Sequence, residues 1–484
     1  MRKFLFVLAV IAILAAALLT PSYLWYRRTV GVVPAWVRLA GLDINGANAQ
    51  EVAGALGQRA AEPLAVYFDD QRILLRPQTL GFQVDVEGML ANAKQYDTPA
   101  NLLRYLVGRG IRRPLAPVNV PLRYTVDQDA LNTWLADVAQ RYNRAPQRPQ
   151  PVVSTLSVSP GQPGLELDLN PSRERVIAAL TNLEDRTVRL ALRESSAPPV
   201  DMEALKELLA ARLEQFPGIA SVFLHHVPSG DEVAINADVA YAGMSTMKIF
   251  ILSELYRKLN QAPNIETTKL ITETMSQSGN FTANLLLRII GDDSSDAGVQ
   301  VLNQSLRKLG LKNSFMATPY DRKYVTPPRV ATEANSRSDL STHPDPYIQT
   351  TPRDIALGLE MLLSCTQGGG TLLAAYDDQY TPEECQQALD FIALNEVTAL
   401  IAEGVPEGTK VVHKHGYAAD THGDVAAIWG PDGPYVLSVF LYRPPWLEWD
   451  LSRATMRDVS QAVWNYFSTV AQDEALSTES RGGP

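Results

Sequence analysis

The sequence has little cysteine and little histidine. Its 484 residues include two cysteines, Cys365 and Cys385, and six histidines. Nineteen residues separate the two cysteines, so they form no C-x-x-C pair, and the two residue types are too few for a zinc framework with the usual spacings. No bound cofactor is expected. A single disulfide and two buried free thiols are both compatible with this pattern.

Clustered positive charge is also missing. The chain has 43 Lys and Arg against 53 Asp and Glu, a net charge of −10 and a pI near 5.3, and no basic cluster persists along it. A protein that binds a phosphate backbone carries such a cluster, so we expect no nucleic-acid partner. The length and an apolar content of 46% predict two or three globular domains.

The amino terminus contains a long run without charge. Arg2 and Lys3 precede sixteen apolar residues, Phe4 to Leu19, and an aromatic and basic segment, Trp25 to Arg28, follows. This pattern predicts an uncleaved signal anchor, a transmembrane helix within residues 1–28, with the rest of the chain outside the cytoplasm on a single-pass membrane protein. The small residues Ala15 to Ala17 leave signal cleavage open, in which case the protein is secreted.

Residues 29–195 alternate short strand patterns with amphipathic helical ones, which predicts a small α+β region. The pattern Gly81-Phe-Gln-Val-Asp85 and its counterpart Gly164-Leu-Glu-Leu-Asp168 both lead into helix-like segments, which suggests an internal duplication with a proline-rich break near residues 144–152. Asp85 and Asp168 are expected to cap helices, with ligand contact as the alternative.

The stretch from Val37-Arg-Leu-Ala-Gly41-Leu-Asp-Ile to Leu80-Gly-Phe-Gln-Val-Asp85 resembles the peptidoglycan-binding repeats of VanW-type and related wall proteins. The resemblance implies peptidoglycan as a partner of residues 29–195. The alternative is a stalk that holds the following domain away from the membrane.

The segment Ala242-Gly-Met-Ser245-Thr-Met-Lys248 enters a long apolar run that predicts a buried helix. Residues three apart share a helical face, so the Lys248 amine can reach the Ser245 hydroxyl. Burial lowers the pKa of a lysine, and a neutral amine is a base able to activate a serine. Ser245 is therefore the candidate nucleophile and Lys248 its base.

A second element, Ser278-Gly-Asn280, forms a polar turn before an apolar helix. Its hydroxyl and amide can face one cavity, with Ser278 passing a proton to a leaving nitrogen and Asn280 binding a substrate amide. Taken alone, the same residues are typical of a helix cap.

A third element, His413-Lys414-His415-Gly416-Tyr417, belongs to a predicted antiparallel strand pair. Lys414 supplies charge for a substrate carboxylate, Gly416 allows close approach, and the Tyr417 N–H is a candidate oxyanion donor. A competing hypothesis makes His413, His415 and His422 a metal site, because alternate strand residues share a face, although no fourth ligand accompanies them.

These three elements occur in the order of the S-x-x-K, S-D-N and K-T-G motifs, so the region resembles class A beta-lactamases and penicillin-binding proteins. The resemblance extends to Thr350-Thr-Pro352 and covers residues 199–472; residues 473–484 are expected to be a disordered tail. It implies an antiparallel sheet beside a helical lobe, with the site between them, and places His415 among the groups that seat a substrate carboxylate.

The sequence departs from this family at Gly279, where the family has Asp, and at His415, where it has a hydroxyl residue. The usual deacylation loop is not evident, and Glu333 is the nearest candidate for its base, with Asp339 weaker. Three functions stay open. They are a beta-lactamase-like hydrolase, a penicillin-binding D,D-peptidase or esterase acting on D-Ala-D-Ala-like peptides, and a peptidoglycan-binding protein with weak catalysis.

Overall fold

The computed structural model describes residues 2–44, 46–113, 115–322, 326 and 329–481. The chain divides into two compact units. The first unit comprises residues 1–147 and 162–197, and the second comprises residues 148–161 and 198–484. Both units mix helices and strands, as the composition and patterning predicted.

The helices, in chain order, are α1 Arg2–Thr29, α2 Ala49–Ala61, α3 Val86–Lys94, α4 Pro99–Gly110, α5 Gln128–Tyr142, α6 Leu169–Thr181, α7 Met202–Leu213, α8 Lys248–Leu259, α9 Ile265–Ser276, α10 Asn280–Ile290, α11 Ser295–Lys308, α12 Pro352–Thr366, α13 Thr371–Ala375, α14 Pro382–Ile392 and α15 Trp449–Arg481. The strands are β1 Val37–Leu39, β2 Leu64–Phe68, β3 Gln71–Leu75, β4 Gln83–Val84, β5 Val118–Val120, β6 Tyr124–Thr125, β7 Gln150–Val152, β8 Ser157–Ser159, β9 Gly164–Leu167, β10 Thr187–Arg189, β11 Leu192–Ser195, β12 Ile219–His226, β13 Glu232–Ile235, β14 Tyr241–Ala242, β15 Phe315–Met316, β16 Ile348–Thr350, β17 Val411–Tyr417, β18 Thr421–Gly430 and β19 Gly433–Tyr442.

The amino-terminal segment is helical, as α1. Among the residues that the structure describes, no helix combines the length and the apolar character needed to cross a bilayer, so the predicted transmembrane helix is not supported here.

The first unit is built from small sheets packed with short helices. Strands β10, β2 and β3 form one sheet, and β1–β5, β4–β6 and β9–β11 are separate pairs. Its core is apolar: Val52 and Leu56 of α2, Leu131 and Leu135 of α5 and Val176 of α6 are fully buried. These positions recur every three or four residues, which gives each helix one apolar face.

The two similar sequence patterns of this unit both form a strand followed by a helix. The Asp85 carboxylate accepts the Gly88 N–H at 2.8 Å and so caps α3, as expected, and it also pairs with Arg123 at 2.9 Å. Asp168 precedes α6 but makes no capping bond; its carboxylate pairs with Arg193 at 3.0 Å instead. Both carboxylates therefore have structural partners.

The second unit contains a five-stranded antiparallel sheet, ordered β13-β12-β19-β18-β17 within the described residues. Successive strand residues face opposite sides of the sheet, as the strand period of two requires. Val425 and Ala427 of β18 pack toward the helical lobe, whereas Ala426 and Ile428 pack toward α7 and α15. Strand β17 is an edge of this sheet, and that edge borders the candidate site.

The helical lobe surrounds α8, whose residues Lys248 to Tyr256 are all buried. Helices α9, α10, α11, α12 and α14 contribute apolar side chains to the same core. A disulfide joins Cys365 of α12 to Cys385 at the start of α14, with Cα atoms 6.0 Å apart. Of the two alternatives for these cysteines, the structure therefore has the disulfide.

Two segments differ from the sequence-based boundaries. The hairpin β7–β8 lies within the region expected to form the amino-terminal domain, yet it belongs to the second unit. Its Val158 is buried in the core that α7 and α15 share, and Asn465 of α15 donates to the Leu156 carbonyl at 2.9 Å. Helix α15 continues to Arg481, through most of the expected tail, because Ala, Glu and Leu there favour helix.

Candidate active site

Ser245 and Lys248 lie where the chain enters the central helix. Ser245 belongs to a short 3₁₀ turn, Met244–Met247, and Lys248 is the first residue of α8. The Lys248 Nζ is 2.8 Å from the Ser245 Oγ. The structure therefore brings the predicted nucleophile and its predicted base into direct contact.

The Lys248 amine is fully buried and has defined partners. It donates to the Ser278 carbonyl at 2.7 Å and to the Asn280 Oδ1 at 2.9 Å. Burial, together with the charge of Lys414 and against the opposing effect of Asp321, lowers the pKa of Lys248 to about 7. A neutral amine has two N–H groups for these two acceptors and a lone pair left for the Ser245 hydroxyl, as a general base requires.

Ser278 connects the two buried lysines of the site. Its Oγ lies 3.0 Å from the Lys414 Nζ and 3.3 Å from the Lys248 Nζ. Ser278 has φ of 60°, in the left-handed region, and this conformation presents its carbonyl and its hydroxyl to the same amine. Burial lowers the pKa of Lys414 to about 8, with Asp424 opposing that shift.

The open edge of β17 passes next to Ser245. A Cβ on Gly416 would lie 2.8 Å from the Ser245 nitrogen, so only glycine permits this approach. The Ala418 N–H donates to Thr421 of β18, and hydrogen-bonded pairs alternate along antiparallel strands. The Tyr417 N–H therefore points away from β18 toward the open edge, as an oxyanion donor beside the Ser245 turn requires.

A cavity of about 400 Å³ opens at this edge. Ser245, Asn280 and Tyr417 line it together with two residues that the sequence did not single out, Tyr320 and Asp321. Asp321 accepts from the Asn280 amide at 3.3 Å. Because nothing in the local pattern distinguishes Asp321 from other loop carboxylates, its position follows only from the fold.

Tyr320 supports the nucleophile turn. Its hydroxyl donates to the Met244 carbonyl at 2.8 Å, and its ring centre lies 4.7 Å from the Lys248 Nζ. Asn284 of α10 holds the Tyr320 backbone through bonds to both its N–H and its carbonyl, at 2.9 and 3.0 Å. The helix that begins at Asn280 thus supports the site indirectly.

The three histidines of the metal hypothesis have separate partners. His413 bonds to the buried Asp424, His415 to Asn395 and His422 to Ser452. Within the described part of the chain, no group of three or more metal-ligating side chains is arranged to hold an ion. The geometry therefore gives the metal hypothesis no support.

Glu333 is not brought to the site. It lies exposed before a short 3₁₀ turn, Ala334–Ser336, and is not among the residues that line the Ser245 cavity. Asp339 is also exposed and pairs with Arg337 at 2.6 Å, which holds the pKa of Asp339 at about 2. Neither carboxylate makes a contact that suits the deacylation base.

The departure at Gly279 has a local cause. A Cβ at this position would lie 2.6 Å from the Thr282 Oγ1, which itself bonds to Thr274 at 2.9 Å. The family's Asp would therefore disturb the start of α10. The loss of that carboxylate leaves the contacts of Ser278 and Asn280 with Lys248 intact.

Two family models match separate parts of the chain. Residues 259–467 match a family model described as "Beta-lactamase enzyme family", and residues 73–189 match one described as "Putative peptidoglycan binding domain". The first match includes Ser278, Asn280 and Lys414 but begins after Ser245 and Lys248. The resemblance is confirmed at the level of these families: the C-terminal half carries a beta-lactamase-like domain, and a region that matches the peptidoglycan-binding model precedes it.

Solved structures with similar folds include a beta-lactamase from Xanthomonas campestris, which is 19% identical in sequence and has a TM-score of 0.42. The match covers 54% of this chain and 98% of that one. A beta-lactamase from Sphaerobacter thermophilus has 21% identity, coverages of 55% and 96%, and a TM-score of 0.41. The structure of PBP-A has 19% identity, coverages of 56% and 99%, and a TM-score of 0.43. No curated protein matches the chain.

Proposed function

We propose, from the family match of the C-terminal half, that this protein is a serine hydrolase that opens beta-lactam amides through an acyl-Ser245 intermediate. The observation that carries this proposal is the 2.8 Å contact between the Ser245 hydroxyl and the buried Lys248 amine. The lowered pKa of that amine supplies a base near neutral pH.

In the acylation step, the Ser245 Oγ bonds to the carbonyl carbon of the substrate while its proton passes to the Lys248 amine. The carbonyl oxygen becomes an oxyanion between the Ser245 and Tyr417 N–H groups. The carbon–nitrogen bond then breaks, and the nitrogen receives a proton through Ser278, which contacts both lysines. Lys414, at the same edge, supplies positive charge for a substrate carboxylate.

Deacylation needs a water molecule and a base to accept its proton. Among the described residues, Asp321, Asp345 and Asp420 line the Ser245 cavity, and we assign this role to Asp321 because it accepts from the Asn280 amide. The water oxygen bonds to the acyl carbon and its proton passes to Asp321. The ester bond to Ser245 then breaks, and the Ser245 oxygen takes the proton that Asp321 accepted. The acid product leaves, and the Ser245 hydroxyl is restored.

Mass spectrometry after reaction with benzylpenicillin tests the proposal. We expect an adduct of one penicillin on the peptide that contains Ser245, and none in Ser245→Ala. Ser336→Ala, at an exposed serine outside the cavity, is the control and keeps the adduct. An adduct that persists in Ser245→Ala, or that maps to another residue, contradicts the assignment.

A second function, D,D-peptidase or esterase activity on cell-wall peptides, is favoured by the peptidoglycan-binding match to residues 73–189. Decay of the penicillin adduct within seconds favours the beta-lactamase, and a persistent adduct together with peptide cleavage favours the peptidase.

The third function, peptidoglycan binding with weak catalysis, makes a different prediction. The protein would then sediment with purified peptidoglycan and give no adduct on Ser245.

We also propose that the enzyme works outside the cytoplasm, attached to the membrane through its amino-terminal segment. The apolar run Phe4 to Leu19 and the disulfide between Cys365 and Cys385 support this location, since disulfides persist in oxidising compartments. Protease accessibility in intact cells, with and without membrane lysis, tests it.

A further inference from the structure

Helix α4 has two apolar faces, and the first unit covers one of them. Leu106 is buried in the core of this unit, and Tyr105 packs beside it. On the other face, Leu103, Val107 and Ile111 are 53%, 42% and 64% exposed. These three residues recur every four positions, so they form one stripe along the helix. The Ile111 N–H extends the helical bonding to the Val107 carbonyl at 3.0 Å. We call Leu103, Val107 and Ile111 the apolar stripe.

The apolar stripe sets α4 apart from the other helices of its unit. In the described part of the chain, α2, α3 and α5 expose no large apolar side chain. A helix that packs on one side normally carries polar residues on the other. An exposed second apolar face therefore indicates a partner that is itself apolar.

The surroundings of the apolar stripe are basic. Arg104 and Arg109 lie on α4, and Arg112 and Arg113 follow it, whereas residues 98–115 contain no Asp or Glu. All four arginines are exposed. Aliphatic side chains flanked by arginines are typical of a helix that lies in the interface of a bilayer. There the apolar residues enter the acyl boundary and the guanidinium groups contact anionic headgroups.

Helix α4 lies where α1 joins the first unit. The Tyr26 ring centre is 5.9 Å from that of Tyr105, and the Arg109 guanidinium carbon lies 3.5 Å from the centre of the Trp25 ring. Tryptophan and tyrosine are the side chains favoured at the membrane interface. The exposed apolar residues of α1 that precede this contact are Phe6, Val7, Leu8, Val10 and Ile13. An α1 that enters a bilayer therefore brings α4 to the bilayer surface.

We infer that α4 docks on an anionic lipid surface, with the apolar stripe at the boundary of headgroups and acyl chains and its arginines among the headgroups. This inference goes beyond the hydrolase activity and adds a second membrane contact to the proposed attachment through α1. Because α1 holds α4 close to the bilayer, three apolar side chains suffice for docking, although they would bind weakly by themselves. With two contacts, the first unit keeps one orientation toward the membrane instead of turning about a single helix.

Two other occupants fit the apolar stripe less well. The wall polymer suggested by the match to residues 73–189 is polar and offers little apolar surface to three aliphatic side chains. A second copy of the chain, in a symmetric contact, would place its four arginines against the same four arginines. Like charges brought together at an interface disfavour that contact.

Nitroxide labels on introduced cysteines test the inference in the full chain. The two native cysteines form a disulfide, so the introduced thiol is the one that reacts. The labelled protein is placed in nanodiscs of equal parts phosphatidylcholine and phosphatidylglycerol. Electron paramagnetic resonance then measures access of oxygen, which concentrates in lipid, and of a nickel chelate, which stays in water. The variants are Leu103→Cys and Val107→Cys on the stripe, Ile13→Cys on α1, and the control Leu74→Cys at an exposed residue of β3.

The three possible environments of the stripe give different results. We expect labels at Leu103 and Val107 to be accessible to oxygen and protected from the nickel chelate, while the label at Leu74 stays accessible to the chelate. Stripe labels that the chelate reaches lie in water and overturn the inference. Stripe labels protected from both reagents lie against protein, and labels that become protected only when purified peptidoglycan is added lie against the wall polymer. Either result also overturns it.

The label at Ile13 separates this inference from the proposed attachment. If Ile13 lies in lipid and the stripe does not, the attachment through α1 stands and the docking of α4 fails. If the stripe lies in lipid and Ile13 does not, the docking stands and the attachment through α1 fails. The penicillin adduct on Ser245, measured in the same nanodiscs, decides the hydrolase function independently of both.

Two matched pairs of substitutions test the role of charge. Arg112→Gln with Arg113→Gln should lower the ratio of lipid-facing to water-facing label at Val107 roughly 30-fold, from the contribution of two arginines at an anionic surface. Arg72→Gln with Arg76→Gln, the same change of charge at exposed residues of the same unit, should leave the ratio unchanged. In nanodiscs of phosphatidylcholine alone, both pairs should match the wild type. Equal effects of the two pairs in the anionic nanodiscs overturn the anionic surface as the partner.

Discussion

The two units treat charged side chains differently. In the described part of the first unit, Ser172 is the only fully buried polar side chain, and carboxylates such as Asp85 and Asp168 pair with arginines near the surface. The second unit fully buries Lys248, Lys414 and Asp424. Burying a charge is unfavourable unless it is paired or does chemistry, so the second unit is the one in which we propose a reactive centre.

The largest expected effect on acylation is at Lys248. Replacement of Lys248 by Met keeps the apolar stem and removes the amine, so the Ser245 hydroxyl loses its base. We expect acylation by benzylpenicillin to slow by about 10²- to 10⁴-fold, measured by stopped-flow. A Lys258→Met control, at the opposite end of α8, should react at the wild-type rate; wild-type kinetics in Lys248→Met would remove the lysine from the mechanism.

The free energy of unfolding should also differ between variants of the two units. Removal of Asp424 breaks the buried pair that it forms with His413, and the loss of one partner of a buried pair destabilises a protein by about 3–5 kcal/mol. Removal of the Asp85 cap from α3 destabilises by about 1 kcal/mol. Urea unfolding of Asp424→Ala and Asp85→Ala, followed by circular dichroism, measures both; equal losses would break the contrast between a buried pair and a surface one.

The deacylation base is Asp321 in the structure-based proposal and Glu333 in the sequence-based prediction. If Asp321 activates the water, Asp321→Asn should slow decay of the penicillin adduct about a hundredfold, as the loss of a general base does. Glu333→Gln, its matched control, should leave that decay unchanged because Glu333 lies outside the cavity. The reverse result would restore the sequence-based assignment to Glu333.

The pH dependence of acylation tests the pair of lysines directly. Lys248 must be neutral to accept a proton, so the rate should rise about tenfold per pH unit below its pKa of about 7. Lys414 must be charged to bind a carboxylate, so the rate should fall as pH rises through about 8. With the methyl ester of penicillin, the alkaline fall should disappear while the acid limb stays.

The sequence predicted the parts of the site that lie in short motifs. The contact of Ser245 with Lys248 follows from helical spacing, and the third motif identified Gly416 and Tyr417 as the strand residues of the site. Asp321 and Asn395 were missed because tertiary packing alone brings them near the motifs. The choice of Glu333 came from residue type and spacing in a polar stretch, which do not determine which loop carboxylate enters the cavity.

Some features of the fold were also predictable from the sequence, and others were not. The antiparallel sheet and the helical lobe were expected from the resemblance, and the mixed character of the first unit was expected from its periodicity. The assignment of the β7–β8 hairpin was not predictable, because its buried residue, Val158, lies in a short apolar pattern that fits either core. The capping role of Asp85 was expected, whereas Asp168 pairs with an arginine instead.

The β7–β8 hairpin affects how the two units can be separated by cleavage or truncation. Residues 148–161 lie in one unit while the sequence on both sides of them lies in the other, so the backbone crosses over at three places rather than one. A protease that cleaves only at residue 197 would give two polypeptides, and residues 148–161 of the second unit would stay joined by peptide bonds to the first unit. A variant that begins at residue 199 would lack strands β7 and β8 of the second unit. The core shared by α7 and α15 would then lack the Val158 side chain.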